Sequence, residues 1–169
     1  MKIYIVGYMY CGKSSIGKRL ARRLGYDFMD LDAEFERRFK LSIPDFFGRY
    51  DETAFRKLEH DVLLSTKDVD NCVISTGGGT PCHHNNMNFI KENGISVYLE
   101  ADTDLILSRR ANSKKRRPVL EAMPANEVKT FVDEQLAARK PFYSMADIRC
   151  DARNVSIDDI VNTLKQRLL

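Results

Sequence analysis

Gly7-Tyr8-Met9-Tyr10-Cys11-Gly12-Lys13-Ser14 follows the pattern G-x-x-x-x-G-K-S. The run before it, Lys2-Ile3-Tyr4-Ile5-Val6, is β-branched and aromatic and predicts a buried strand. The run after it places Ile16, Leu20 and Leu24 at helical spacing and meets Gly25 as a stop. The stretch therefore lies between a strand and a helix, where successive N–H groups converge at a helix N-terminus and favour an anion. Gly12 lets backbone approach a phosphate closely, Lys13 reaches the β/γ-phosphates and the Ser14 hydroxyl is a ligand for Mg²⁺. A nucleoside triphosphate is the ligand this stretch predicts, in an α/β protein.

With 169 residues the chain is long enough for one α/β core, and a single domain over 1–169 is expected. Hydrophobic content of 43% and charged content of 30% are those of an ordinary globular protein. No apolar run approaches a membrane span and the chain enters a strand at once, so neither a membrane nor a signal peptide is expected. A net charge of +3 is too mild to point to nucleic acid. Cys11, Cys72, Cys82 and Cys150 form no C-x-x-C pair, which favours reduced thiols and a cytoplasmic protein over a disulfide framework or a zinc site.

Further along, 26–30 reads as a second strand ending in carboxylates. Asp30 and Asp32 either face one ligand from the carboxyl edge of a parallel sheet, or Asp32 caps a helix over 33–40 while Asp30 is solvated. Spacing alone fits both. Ser42 caps a short helix near 44–50, and a longer helix over 52–66 carries the stripe Phe55, Leu58, Val62 and Leu63. Arg56 and Glu59 fall on its polar side, where an exposed ion pair of little weight is the ordinary outcome. Cys72 to Thr76 is a third strand running into Gly77-Gly78-Gly79, which is either bare backbone for a polar ligand or a flexible turn. The run His83-His84-Asn85-Asn86 reads as a solvated helix start.

Ile95 to Leu99 is the fourth strand, and a helix follows from about Asp104. Arg109, Arg110, Lys114, Lys115, Arg116 and Arg117 follow with no acid among them. Such a cluster is a solvated loop, a lid over phosphates or, more weakly for want of interleaved aromatics, an RNA patch. A helix over 125–140 ends at Pro141, Asp147 to Cys150 forms a fifth strand, and Ser156 with Asp159 opens a last helix. That helix is expected to bury Ile157, Ile160, Val161, Leu164 and Leu168.

Taken together, six segments resemble the shikimate kinases over nearly the whole chain. They are the Gly7–Ser14 loop, Phe28-Met29-Asp30-Leu31-Asp32, Phe55-Arg56-Lys57-Leu58-Glu59, Ser75-Thr76-Gly77-Gly78-Gly79, Arg117-Pro118-Val119-Leu120 and Arg139-Lys140-Pro141-Phe142-Tyr143. The resemblance implies a P-loop kinase related to the nucleoside monophosphate kinases: a five-stranded parallel sheet, ordered 2-3-1-4-5, between helical layers. It also implies a substrate-binding helical region at about 31–66 and a mobile lid at about 112–124. By resemblance, the reaction moves the γ-phosphoryl group of ATP onto the 3-hydroxyl of shikimate, with Mg²⁺; nothing in the sequence suggests an obligate interface, so a monomer is expected. Asp32 then binds shikimate hydroxyls and orients or deprotonates the attacking one, while Arg56, Arg139 and the Gly78 and Gly79 backbone hold its carboxylate. Glu59 positions Arg56. Tyr10, Cys11, Gly12, Lys13, Ser14 and Ser15 hold the nucleotide phosphates, with Arg110 and Arg153 near the adenine. Ser14 ligates the metal directly and Asp30 through water, and Lys13 and Arg117 stabilise the transferring phosphate. Two positions depart from the family pattern: Tyr10 and Asp51 stand where glycine is common.

Overall fold

The computed structural model describes residues 1–114 and 118–169. Strand β1 (Lys2–Val6) is followed by α1 (Lys13–Leu24), β2 (Asp27–Asp30), α2 (Leu31–Phe39), α3 (Ile43–Arg49) and α4 (Glu52–Leu64). The chain continues through β3 (Cys72–Ser75), α5 (Asn86–Asn93), β4 (Ile95–Glu100) and α6 (Thr103–Asn112). It ends with α7 (Pro118–Glu121), α8 (Ala125–Tyr143), β5 (Ile148–Asp151) and α9 (Ile157–Arg167). All ladders are parallel and the sheet order is β2-β3-β1-β4-β5, as expected.

This order places the site. Ile3 to Val6 are fully buried because β1 is central, with β3 on one side and β4 on the other. The chain leaves β1 toward the β2 edge and leaves β3 toward the β5 edge. The carboxyl ends of these neighbours therefore flank the switch point at which open α/β sheets bind ligands. Thr76, just past β3, fixes that junction by donating from N and Oγ1 to Ile5 O, each at 3.1 Å.

Helix α1 lays Ile16, Leu20 and Ala21 on the sheet, and Gly25, in the left-handed region at φ 70°, ends it. Helices α2 to α4 have an aromatic centre of their own. The Phe35 ring meets Phe46 edge-on at 5.4 Å and Phe55 at 5.1 Å.

Several local expectations are corrected. Helix α8 runs through Pro141 to Tyr143. One missing N–H in a last turn is a small loss beside the burial of the Tyr143 ring, which is fully inaccessible. Helix α2 begins at Leu31, and its cap is Asp30, not Asp32. The run at 83–86 does open α5, with His84 and Asn85 exposed, but Asn86 is fully buried and donates to Thr80 O at 2.8 Å. Leu168 lies beyond α9 and is 62% exposed. Asp51 turns its departure from glycine into the cap of α4, accepting from Ala54 N at 2.8 Å.

Candidate active site

The half nearest β1 is the phosphate loop. Its backbone turns through the left-handed region at Tyr10 (φ 63°) and Gly12 (φ 96°). The Lys13 ammonium is buried and donates to Tyr8 O at 2.8 Å. Ser14 Oγ donates to Asp30 Oδ2 at 2.7 Å. Asp30 Oδ1 accepts from Asp32 N at 2.9 Å and Ala33 N at 3.3 Å. One carboxylate thus joins the first turn of α1 to the start of α2 and sets the direction from which Asp32 projects. The two readings of the acid pair are both partly right: one acid is the cap, but it is Asp30, and Asp32 is half-buried against the site. Ser15 lies on the exposed side of α1.

The other half is built on the glycine turn after β3, where neighbours press so closely that added side chains would crowd or collide with them. A Cβ on Gly77 would lie 2.9 Å from Asp32 Oδ1 and 3.0 Å from Glu59 Oε2. On Gly78 it would lie 3.3 Å from both Arg139 Nη1 and Met9 N, and on Gly79 2.5 Å from Arg56 Nη1. Successive glycines therefore carry Asp32, Arg139 and Arg56, and the middle one touches the phosphate loop. Of the two readings of this turn, closely approached backbone is the one the structure supports.

The pair of Arg56 and Glu59 is not the exposed one that helix spacing predicts. Arg56 Nη1 donates to Glu59 Oε1 at 2.9 Å, with side chains only 13% and 7% exposed. Thr80 Oγ1 donates to Glu59 Oε2 at 2.9 Å. Burial pushes the Glu59 carboxyl up, while Arg56 and then Thr80 hold it down. Arg56 also bonds Glu52 at 3.3 Å. The Arg139 guanidinium stacks over the Tyr8 ring, 5.4 Å from its centroid. Tyr143 Oη donates to Gly78 O at 2.5 Å, and Tyr8 Oη donates to Gln135. Burial raises the Tyr8 hydroxyl to about 12 against Arg139, so it stays a donor at neutral pH. Burial likewise raises Cys82 to about 11 despite Arg139 and Arg56, which keeps it a thiol.

The remaining predicted residues are spread more widely. Arg110 donates to Leu120 O at 3.3 Å, and its Nε is buried with no partner among the described atoms. Arg153 is held by both oxygens of Asp102, at 2.6 and 2.7 Å, on the rim of a cleft lined by Glu100, Arg149 and Asp151. Lys115, Arg116 and Arg117, the end of the basic run, lie outside the described residues. Two contributors went unread in the sequence. Tyr143 falls in one of the six resembling segments, but the helix end that Pro141 predicts hides its place in the last turn of α8. Arg109 reads in the sequence only as part of a charge run, yet it sits in the last turn of α6 and donates to Cys11 O at 2.6 Å.

Known proteins identify the arrangement. The family model described as Shikimate kinase matches residues 9–169. The chain belongs to the shikimate kinase family. A shikimate kinase from Parabacteroides distasonis is 35% identical over 99% of this chain and 97% of its own. The crystal structure of a shikimate kinase from Bacteroides thetaiotaomicron superposes with a TM-score of 0.90, at 35% identity, over 99% of this chain and 98% of that one. A shikimate kinase from Acinetobacter baumannii, solved in complex with shikimate, gives 0.86 at 32% identity, over 99% and 92% of the two chains. This family member is thereby an ATP-dependent kinase with the P-loop three-layer fold. Among its described residues no helix is long and apolar enough to cross a membrane.

Proposed function

We propose that this chain transfers the γ-phosphoryl group of ATP to the 3-hydroxyl of shikimate, giving shikimate 3-phosphate and ADP in aromatic amino-acid biosynthesis. The observation that carries the reading is the glycine turn at 77–79, which bears the Asp32 and Glu59 carboxylates and two guanidinium groups beside the phosphate loop. A small polyol acid needs an acceptor for its hydroxyls and fixed cations for its own carboxylate. Arginine suits the second task because its planar fork forms two parallel bonds to a carboxylate.

In this reading Arg56 and Arg139 bind the substrate carboxylate, with the backbone of Gly78 and Gly79 completing the pocket. Glu59 holds Arg56 in place. Asp32 accepts from the attacking hydroxyl and takes its proton as the new P–O bond forms and the bond to the β-phosphate oxygen breaks. Tyr10, Cys11, Gly12, Lys13, Ser14 and Ser15 take the phosphates, and Lys13 and Arg117 stabilise charge on the transferring group. Arg110 and Arg153 flank the base. The hydroxyl of Ser14 and the carboxylate of Asp30 form a hard-oxygen donor pair at 2.7 Å, which suits Mg²⁺. When bound, the ion neutralises phosphate charge. Closure of the 112–124 segment would exclude water as a competing acceptor. The working unit is a monomer in the cytoplasm.

ATP consumption by the purified protein with Mg²⁺ tests the proposal, with shikimate against gluconate as control. Shikimate-dependent ADP release with formation of shikimate 3-phosphate is the expected result. Turnover on gluconate but not shikimate would overturn the substrate. ATP binding without turnover on either would overturn the kinase reading.

A further inference from the structure

Arg109 makes an unusual set of bonds for a cation. Its Nη1 donates to Cys11 O at 2.6 Å and Tyr10 O at 3.4 Å, and its Nη2 donates to Ala152 O at 2.7 Å. Among the described residues all of its hydrogen bonds therefore go to backbone carbonyls, two in the phosphate loop and one just past β5. A planar guanidinium can bridge two loops in this way because its donors leave along different edges, whereas an ammonium is a single point.

The bridged turn is the one that most needs holding. Tyr10 occupies the left-handed region at φ 63°, where a bulky side chain is disfavoured. A Cβ on Gly12 would lie 3.1 Å from Arg109 Nη1, so the guanidinium packs directly on the loop. The peptide unit is planar, so fixing the Cys11 carbonyl toward Arg109 also fixes the direction of the Gly12 N–H. The next residue along α6, Arg110, reaches instead to Leu120 O at 3.3 Å. The last turn of α6 thus grips the phosphate loop with one arginine and the segment after residue 117 with its neighbour.

We propose that Arg109 is a positioning residue for nucleotide binding, tying the Tyr10–Cys11 turn to the loop after β5 and holding its left-handed backbone in the shape that receives phosphate. This rests on the ATP reading given above. Calorimetric titration of ATP with Mg²⁺ tests it on four proteins: the natural chain, Arg109→Gln, Tyr10→Gly and the double variant. In the natural background Arg109→Gln weakens ATP binding about tenfold, equivalent to about 1.4 kcal/mol. In the Tyr10→Gly background, where glycine adopts the turn unaided, the loss shrinks to about threefold or less, a coupling between the two sites. Shikimate binding stays unchanged in all four. Arg109→Lys recovers only part of the affinity, and it stands in for Arg109→Gln should that variant not fold.

Equal losses in both backgrounds would mean that Arg109 acts on the nucleotide directly and would overturn the inference, as would no loss in either. Full recovery by lysine would overturn the bridge. A natural chain that binds no ATP would bring down the nucleotide reading and this inference together. Normal ATP affinity with unaltered variants would bring down the inference alone.

Discussion

The two halves of the site are made in opposite ways. The phosphate half is a contiguous turn between β1 and α1, with its polar groups answered mainly by backbone: Lys13 on Tyr8 O, Arg109 on Cys11 O. The acid half is gathered from α2, α4, the turn after β3 and α8, and its charges are answered by other side chains or stacked on rings. A contiguous turn can be shaped by local backbone geometry, so its substitutions act on shape. A gathered half depends on buried charge partners and close approach, so its substitutions act on charge and space. The difference predicts where each kind of damage shows.

The largest effect is expected from Asp32→Asn, which removes the carboxylate but keeps its volume. Phosphoryl transfer falls by about 10²–10⁴-fold, while ATP affinity by titration survives. Turnover near that of the natural chain would break the division of labour at its centre. Next comes Arg139→Ala, which strips one of the two cations from the glycine turn. The Michaelis constant for shikimate rises by roughly 30-fold or more, as for a lost charge-assisted contact worth about 2 kcal/mol or more. A rise confined to ATP would place Arg139 in the wrong half.

Tyr143→Phe is subtler. It deletes only the hydroxyl that donates to Gly78 O, leaving a part-buried carbonyl short of a partner. Stability should drop by about 1–2 kcal/mol in denaturant melts, with a few-fold weaker shikimate binding and unchanged ATP binding. Equal weakening of both ligands would show that the glycine turn supports the two halves jointly, which sharpens the comparison. The smallest effect belongs to Asp51→Gly, which restores the common family residue and removes the α4 cap. A loss of a few tenths of a kcal/mol is expected, with kinetics unaltered. A marked rise in the shikimate Michaelis constant would show that the cap sets the position of Arg56, one turn further on.

The contrast also explains what could be read in the chain. The phosphate loop is legible because its chemistry, spacing and flanking elements all lie within about two dozen residues. The central strands are legible because burial on both faces demands unbroken β-branched and aromatic runs. The acid half gave weaker signals. Helical spacing put Arg56 and Glu59 together but could not say what covers that side of α4; the glycine turn covers it, so an apparently exposed pair is buried. Alternation puts Asp30 and Asp32 on one side of the chain, and the bonds to Asp30 from the Ser14 hydroxyl, distant in sequence, and from the first amides of α2 distinguish them. Pro141 was an honest breaker signal overruled by the burial of Tyr143. The resemblance to shikimate kinases groups Asp32, Arg56 and Arg139 without any of these contacts being visible, and the structure places all three against the glycine turn, whereas Arg117 lies outside the described residues.

The sheet order has a consequence for synthesis of the chain. β1 pairs with β3 and β4, β2 pairs only with β3, and β5 pairs only with β4. No ladder can close before Cys72 has left the ribosome, although the phosphate loop is complete at Ser14. For that interval the apolar Ile3–Val6 segment has no strand partner and is open to pairing with other chains. The arrival of β3 covers one edge of β1 and leaves the other open until β4 emerges; the residues that follow β3 soon after are the three glycines. The newborn chain thus covers the first edge of its central strand in the same step that sets the glycine turn beside the phosphate loop, while Arg139 joins that turn only when α8 follows.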